Sequence, residues 1–155
     1  MNELVFRNLS EDAKRQICAW KYGGEYDLYN LPSYEEMQVR QIGFMNPQRE
    51  KNYYGFWDES ILVGFVNILE EKEEVFIGIG VNPDFCNKHY GQRMLLITYE
   101  ISKKLYPNKP LYLEVRTWNI RAVKYYQKAG FRIDGQAYEL TTEIGTGTFY
   151  RMIRE

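Results

Sequence analysis

Residues 75–81, Val-Phe-Ile-Gly-Ile-Gly-Val, constrain the fold more than any other stretch of the chain. At a side-chain period of two, Val75, Ile77, Ile79 and Val81 share one face, and Phe76, Gly78 and Gly80 share the other. A run so rich in β-branched residues reads as a strand. Two glycines on one face mark a bulge or a close backbone approach. The strand leads into a glycine-containing loop and then a helix, along one side of which lie Met94, Ile97, Ile101 and Leu105. A loop of this kind at a helix N-terminus presents unpaired backbone N–H groups and the positive end of the helix dipole, a setting suited to a pyrophosphate. Gly78 and Gly80 open like a dinucleotide fingerprint, but Pro83 stands where its third glycine belongs, which disfavours a nicotinamide site.

The rest of the chain alternates strands and helices. Leu4–Leu9 is a strand candidate, and Ser10 caps a helix carrying Ala13, Ile17 and Trp20. Tyr22–Pro32 is a structured loop with Gly23, Gly24, Asn30 and Pro32. Ser33 and Glu36 form a capping box that starts a helix running to about Phe44. Strands follow at about Tyr53–Trp57 and Ile61–Leu69, the second apolar on both faces and therefore central. After the long helix come a strand at Leu111–Val115, a helix at Asn119–Ala129, and closing strands at about Phe131–Leu140 and Phe149–Ile153. The expected architecture is a mixed α/β (α+β) sandwich around one central sheet of about seven strands with about four helices. A single domain is expected over residues 1–155.

Composition excludes several function classes. Twenty Lys and Arg against 21 Asp and Glu leave a net charge of −1, no surplus for a general nucleic-acid binder. No apolar run approaches a membrane span, and the N-terminus lacks the features of a signal peptide, so a cytoplasmic protein is expected. Cys18, Cys86 and His89 do not supply a zinc ligand set, and no metal is expected. No nucleophile elbow or Gly-Lys-Ser/Thr phosphate loop is present.

Two segments carry a family resemblance. Residues 79–95 contain a strand, then Cys86-Asn87-Lys88-His89-Tyr90-Gly91 where the pattern Gln/Arg-x-x-Gly-x-Gly/Ala is usual, then a helix. Residues 113–131, Leu-Glu-Val-Arg-Thr-Trp-Asn-Ile-Arg-Ala-Val-Lys-Tyr-Tyr-Gln-Lys-Ala-Gly-Phe, match Asn-x-x-Ala-x-x-x-Tyr-x-x-x-Gly-Phe throughout. The chain thereby resembles the GNAT superfamily of acyl-CoA-dependent N-acetyltransferases, clearly over roughly residues 50–135 and in outline before them. Within that superfamily, Leu-Glu-Val-Arg-x-x-Asn-x-x-Ala-x-x-x-Tyr is similar to the ribosomal-protein-alanine N-acetyltransferases.

The resemblance implies a mainly antiparallel sheet and acetyl-CoA as co-substrate. It places the pantetheine arm along Ile79, Gly80 and Val81 and the pyrophosphate at Asn87, Lys88, His89, Tyr90, Gly91 and Gln92, with Asn119 also reaching the cofactor. It implies Glu114 as proton acceptor and Tyr126 as proton donor in direct transfer to a primary amine. Glu73 and Glu74 are rival bases, and Glu114 is also readable as an ion-pair partner of Arg116. The loop departs from the pattern at Cys86 and at His89, where backbone donation requires an ordinary φ. A protein N-terminal amine, a polyamine and an aminoglycoside all fit as acceptor, as Glu25, Asp27 and the tyrosines of residues 22–32 suit a cation. A non-catalytic CoA-binding regulatory module is the reading from a different class. Neither nucleic acid nor membrane is expected as a partner, and both a monomer and a homodimer stay open.

Overall fold

The computed structural model describes residues 3–86, 88–142 and 145–155. Its elements are β1 (Val5–Asn8), α1 (Glu11–Ala19), α2 (Tyr34–Arg40), β2 (Tyr53–Asp58), β3 (Ile61–Glu70), β4 (Val75–Val81) and α3 (Tyr90–Leu105). They continue with β5 (Leu111–Arg116), α4 (Ile120–Lys128), β6 (Arg132–Ile133), β7 (Tyr138–Thr142) and β8 (Gly145–Arg154). The strands hydrogen-bond in the order β1-β2-β3-β4-β5-β8-β6, and β7 pairs with β8. β4 and β5 run parallel, while β1–β2, β2–β3, β5–β8, β6–β8 and β7–β8 are antiparallel. This is the expected mixed, mainly antiparallel α/β architecture, with β3 inside the sheet as its two apolar faces require. Among the described residues no helix is long and apolar enough to cross a membrane.

The chain packs as two compact units, Met1–Asn67 with Ile79–Met94, and Ile68–Gly78 with Leu95–Glu155. In the first, the hydroxyl of Ser10 accepts from Ala13 N and that of Ser33 from Glu36 N, so both helix starts lie where their caps put them. The apolar faces of α1 and α2 bury Ala13, Ile17, Cys18 and Met37 with Phe44, Trp57 and Leu62. Helix α2 is shorter than the spacing predicts. Gln41 turns left-handed at φ 52° and its N–H closes on Gln38 and Met37, which frees Phe44 to enter the core from a separate turn. Lys14, 2% exposed, is held by Glu11 at 3.1 Å and Glu50 at 3.2 Å. Of the two β4 glycines, Gly80 carries the close approach. A Cβ there would stand 2.9 Å from Cζ of Phe65, closer than real contacts allow, whereas at Gly78 the nearest atom of Phe76 is 3.7 Å away.

In the second unit, Leu111, Leu113 and Val115 alternate into the core from β5 and β8 answers with Met152, while Phe149 is buried on the opposite face, across from Arg116. The strand expected over Phe131–Leu140 divides into β6 and β7, because Gly135 between them lies at φ +78°. Strand β8 begins at Gly145, earlier than its apolar residues indicate, because Thr146 and Thr148 pair with Thr141 and Glu139 of β7.

The connection from β4 to α3 differs from expectation at one residue. His89 lies at φ +66°, in the left-handed region, and not at the ordinary φ that backbone donation was expected to need. It stands where the family pattern has glycine, and the backbone keeps the conformation glycine favours. A side chain in that region costs about 1–2 kcal/mol, although histidine tolerates it better than most residues. Glycine's greater freedom in the unfolded chain offsets about 0.4–1 kcal/mol of the relief. His89→Gly is therefore expected to raise stability by roughly 0.5 kcal/mol, read as a higher urea midpoint at unchanged slope.

Candidate active site

In the first unit the candidate residues lie at the end of β4 and in the loop to α3. The Asn82 N–H donates to Val63 O at 2.8 Å, and the Asn82 side chain donates to Leu62 O at 3.0 Å, fastening the end of β4 to β3. Across a trans peptide the C=O of one residue opposes the N–H of the next, so the Val81 carbonyl points away from β3. By strand alternation Ile79 turns its N–H and C=O to that same edge, while Gly80 turns both towards β3. Among the described residues, β4 and β5 pair at Val75↔Leu111 and Phe76↔Tyr112, and β4 continues for five residues beyond that ladder, through Val81. Ile79 and Val81 therefore present the backbone groups that an extended amide chain can pair with.

The loop residues arrange differently from one another. Lys88 is exposed, with its ammonium 5.2 Å from the Phe85 ring centre, and His89 is exposed at its left-handed position. The Tyr90 hydroxyl turns back to the Asp58 carboxylate on β2, leaving its backbone N–H at the start of α3 beside those of buried Gly91 and half-buried Gln92. Asn87 lies outside the described residues. Helices α1 and α2 carry Glu11, Asp12, Glu35 and Glu36 in their first turns, but the 16-residue α3 carries no acidic residue there. Its dipole is thus not offset from within, which fits an anionic group at this end. The Cys86 thiol lies 3.7 Å from the carbonyl of Asn82, folded back on its own loop.

In the second unit the candidate residues are Glu114, Asn119 and Tyr126. Glu114 is an exposed residue of β5 and its Oε2 accepts from the Tyr138 hydroxyl of β7 at 2.7 Å. Burial, and then the Glu114 carboxylate, push the Tyr138 hydroxyl above the usual tyrosine range, so it remains a donor. The expected Glu114–Arg116 pairing gives way to this bond. Arg116 instead lies over the Phe149 ring, 4.8 Å from its centre.

Register pairs Glu114 with Arg151 of β8, yet Arg151 serves other carboxylates. Its two terminal nitrogens donate to both oxygens of Glu74, and Nε donates to Asp134 at 3.1 Å. Glu74, with Asp134 beside it, raises the guanidinium still further above its ordinary range. The plane of Arg151 also lies 4.4 Å from the centre of the Tyr112 ring, and the Tyr112 hydroxyl donates to Glu71 at 2.8 Å. Protonating Glu74 would therefore break a bidentate, charge-assisted contact, whereas Glu114 keeps Oε1 clear of that contact.

Asn119, 7% exposed, caps α4 through Oδ1, which accepts from Ala122 N at 3.2 Å. Tyr126 is half-buried on α4 and meets the Phe131 ring edge-on, 6.0 Å between centres. Tyr138 and Arg151 carry no local motif in the sequence, because their contacts arise from strand register.

Comparison with known proteins identifies the family of the chain. The sequence model of the acetyltransferase (GNAT) family matches residues 10–131. A probable spermine N(1)-acetyltransferase of Bacillus subtilis subsp. natto is 31% identical over 100 residues, covering 57% of this chain and 66% of that protein. Among solved structures, a spermidine N-acetyltransferase chimera from Vibrio cholerae and hSSAT superposes with a TM-score of 0.78 at 20% identity, covering 99% of this chain and 95% of the other. The ribosomal-protein-S18-alanine N-acetyltransferase of Escherichia coli superposes at 0.68 and 18% identity, covering 97% and 92%. At such identities the superpositions show a shared fold. The family match spans most of the chain and both of its motifs, and the chain belongs to the GNAT acetyltransferase family.

Proposed function

We propose that the chain, acting as one domain, transfers an acetyl group from acetyl-CoA directly to a primary amine. The edge of β4 at Ile79 and Val81 holds the amide arm. The start of α3, with Asn87, Lys88, His89, Tyr90, Gly91 and Gln92, receives the pyrophosphate, and Asn119 contacts the arm. Bound acetyl-CoA supplies the acyl group as a thioester. Glu114 accepts a proton from the attacking amine, backbone N–H groups near Ile79–Val81 steady the developing oxyanion, and Tyr126 gives a proton to the departing sulfur. The acetyl carbon exchanges its bond to sulfur for one to nitrogen, with no acyl-enzyme between.

One observation supports this assignment above the others, the contrast between two carboxylates. Glu74 has both oxygens occupied by Arg151, while Glu114 is steadied by a phenol at one oxygen. Glu74 ranks behind Glu114 as the base, because taking up a proton there would break the Arg151 contact.

A polyamine of the spermine class is the acceptor we favour. The relative that is 31% identical is named for spermine, and the turn Gly24–Tyr29 carries Glu25, Asp27 and Tyr29 on its exposed side. A protein N-terminal amine is the second reading, favoured by the Leu113–Tyr126 motif.

Calorimetry tests the first step: acetyl-CoA and CoA should bind at micromolar or tighter levels and NADH should not. Turnover with spermine and with an alanine-terminated peptide then separates the acceptors, and turnover of neither by protein that binds CoA would favour the regulatory module. Glu114→Gln and Tyr126→Phe are each expected to lower kcat by about 10²- to 10⁴-fold, with KM changing far less. Glu74→Gln should lower the melting temperature while kcat stays near that of the wild type. Cys86→Ala should retain substantial activity in the same assay, since direct transfer needs no thiol.

A further inference from the structure

Tyr22 has no role in the chemistry above, yet its hydroxyl donates to the Val81 carbonyl at 2.6 Å across 59 residues of sequence. That carbonyl points away from β3, as the Asn82 N–H bond to Val63 requires. Tyr22 therefore sits at the end of the β4 edge proposed to hold the amide arm. A carbonyl oxygen has two lone pairs, so the hydroxyl fills one acceptor position and marks where an edge-docked chain must stop or share.

The other end of the same residue is tied just as firmly. The Tyr22 backbone N–H donates to Asn30 Oδ1 at 2.6 Å, closing the segment that contains the turn Gly24–Tyr29. Inside that segment, Tyr26 N bonds to Gly23 O at 3.2 Å and Asn30 N to Asp27 O at 3.0 Å. Burial, with Cys86 nearby, pushes the Tyr22 hydroxyl above its ordinary range and keeps it protonated as a donor. One residue thus joins the final carbonyl of the cofactor strand to the closure of the acidic, aromatic turn. Residues 22–30, 81 and 86 all belong to the first unit.

We infer that Tyr22 is a positioning residue, which couples an extended amide ligand seated on the edge of β4 to the ordering of residues 22–30. Fixing the end of β4 holds the Val81 carbonyl, the carbonyl holds the Tyr22 side chain through its hydroxyl, and the Tyr22 backbone N–H holds the turn through Asn30. The coupling is reciprocal, so an ordered turn also favours the seated ligand. This inference rests on the proposed cofactor site.

Hydrogen exchange of the whole chain with and without saturating CoA tests it. In the wild type, CoA should slow exchange both at the start of α3 with the end of β4 and across residues 23–30. In Tyr22→Phe, the α3 and β4 slowing should persist, the slowing across 23–30 should vanish, and CoA affinity should fall by about three- to tenfold, as the loss of one hydrogen bond predicts. Asn30→Ala cuts the linkage from the other end and should give the same loss across 23–30, so the test does not depend on one variant's folding. Equal CoA-dependent slowing of 23–30 in either folded variant and the wild type would overturn the coupling. Slowing at α3 and β4 alone in the wild type would also overturn it while leaving the cofactor site intact. Failure of CoA to protect α3 and β4 would instead remove the functional reading, and the coupling with it.

Discussion

The antiparallel ladder between β5 and β8 governs the chemistry of the second unit. It sets Glu114 opposite Arg151, the arrangement in which a carboxylate and a guanidinium would ordinarily bind one another. Glu74, from the turn before β4, and Asp134, from the turn after β6, take the guanidinium first. Arg151 is three-quarters buried at its side chain, so leaving it without partners would strand a poorly solvated charge. The pairing that stabilises this region thus also leaves Glu114 to a neutral partner.

A similar economy shapes the end of β4. Asn82 spends its backbone N–H and its side-chain amide on β3, and its Oδ1 accepts from Asp84 N to start the next turn. That fixed end orients the opposite edge, where Ile79 and Val81 face outward. Gly80 lets Phe65 lie against the strand on the other side. The left-handed His89 then turns the chain into α3 without a glycine.

What the sequence made legible follows from interaction range. Ser10, Ser33 and Asn119 cap the helices that begin just after them, an interaction complete within three residues. The alternation of β4 and the apolar faces of β3 are local as well. The early end of α2 was hidden because Gln41 is not a residue that announces a left-handed turn. The division at Gly135 was visible as a glycine, but its φ was not. Of the candidate site, the motifs identified Glu114, Asn119 and Tyr126 as residues of interest. Their partners depend on register: Tyr138 reaches Glu114 from another strand, and Tyr22 reaches Val81 over 59 residues. No spacing rule encodes those contacts.

The order in which the strands leave the ribosome gives β8 a further significance. β6 and β7 pair with it, and it supplies the long ladder of β5, yet all three precede it in the chain. A nascent chain therefore carries their unpaired edges until residues 145–154 emerge, and β5 among them is apolar on one face. During synthesis this interval is when edge-to-edge association competes with folding. A substitution that slows the docking of β8 would then lower yield in the cell even where the finished protein is nearly as stable.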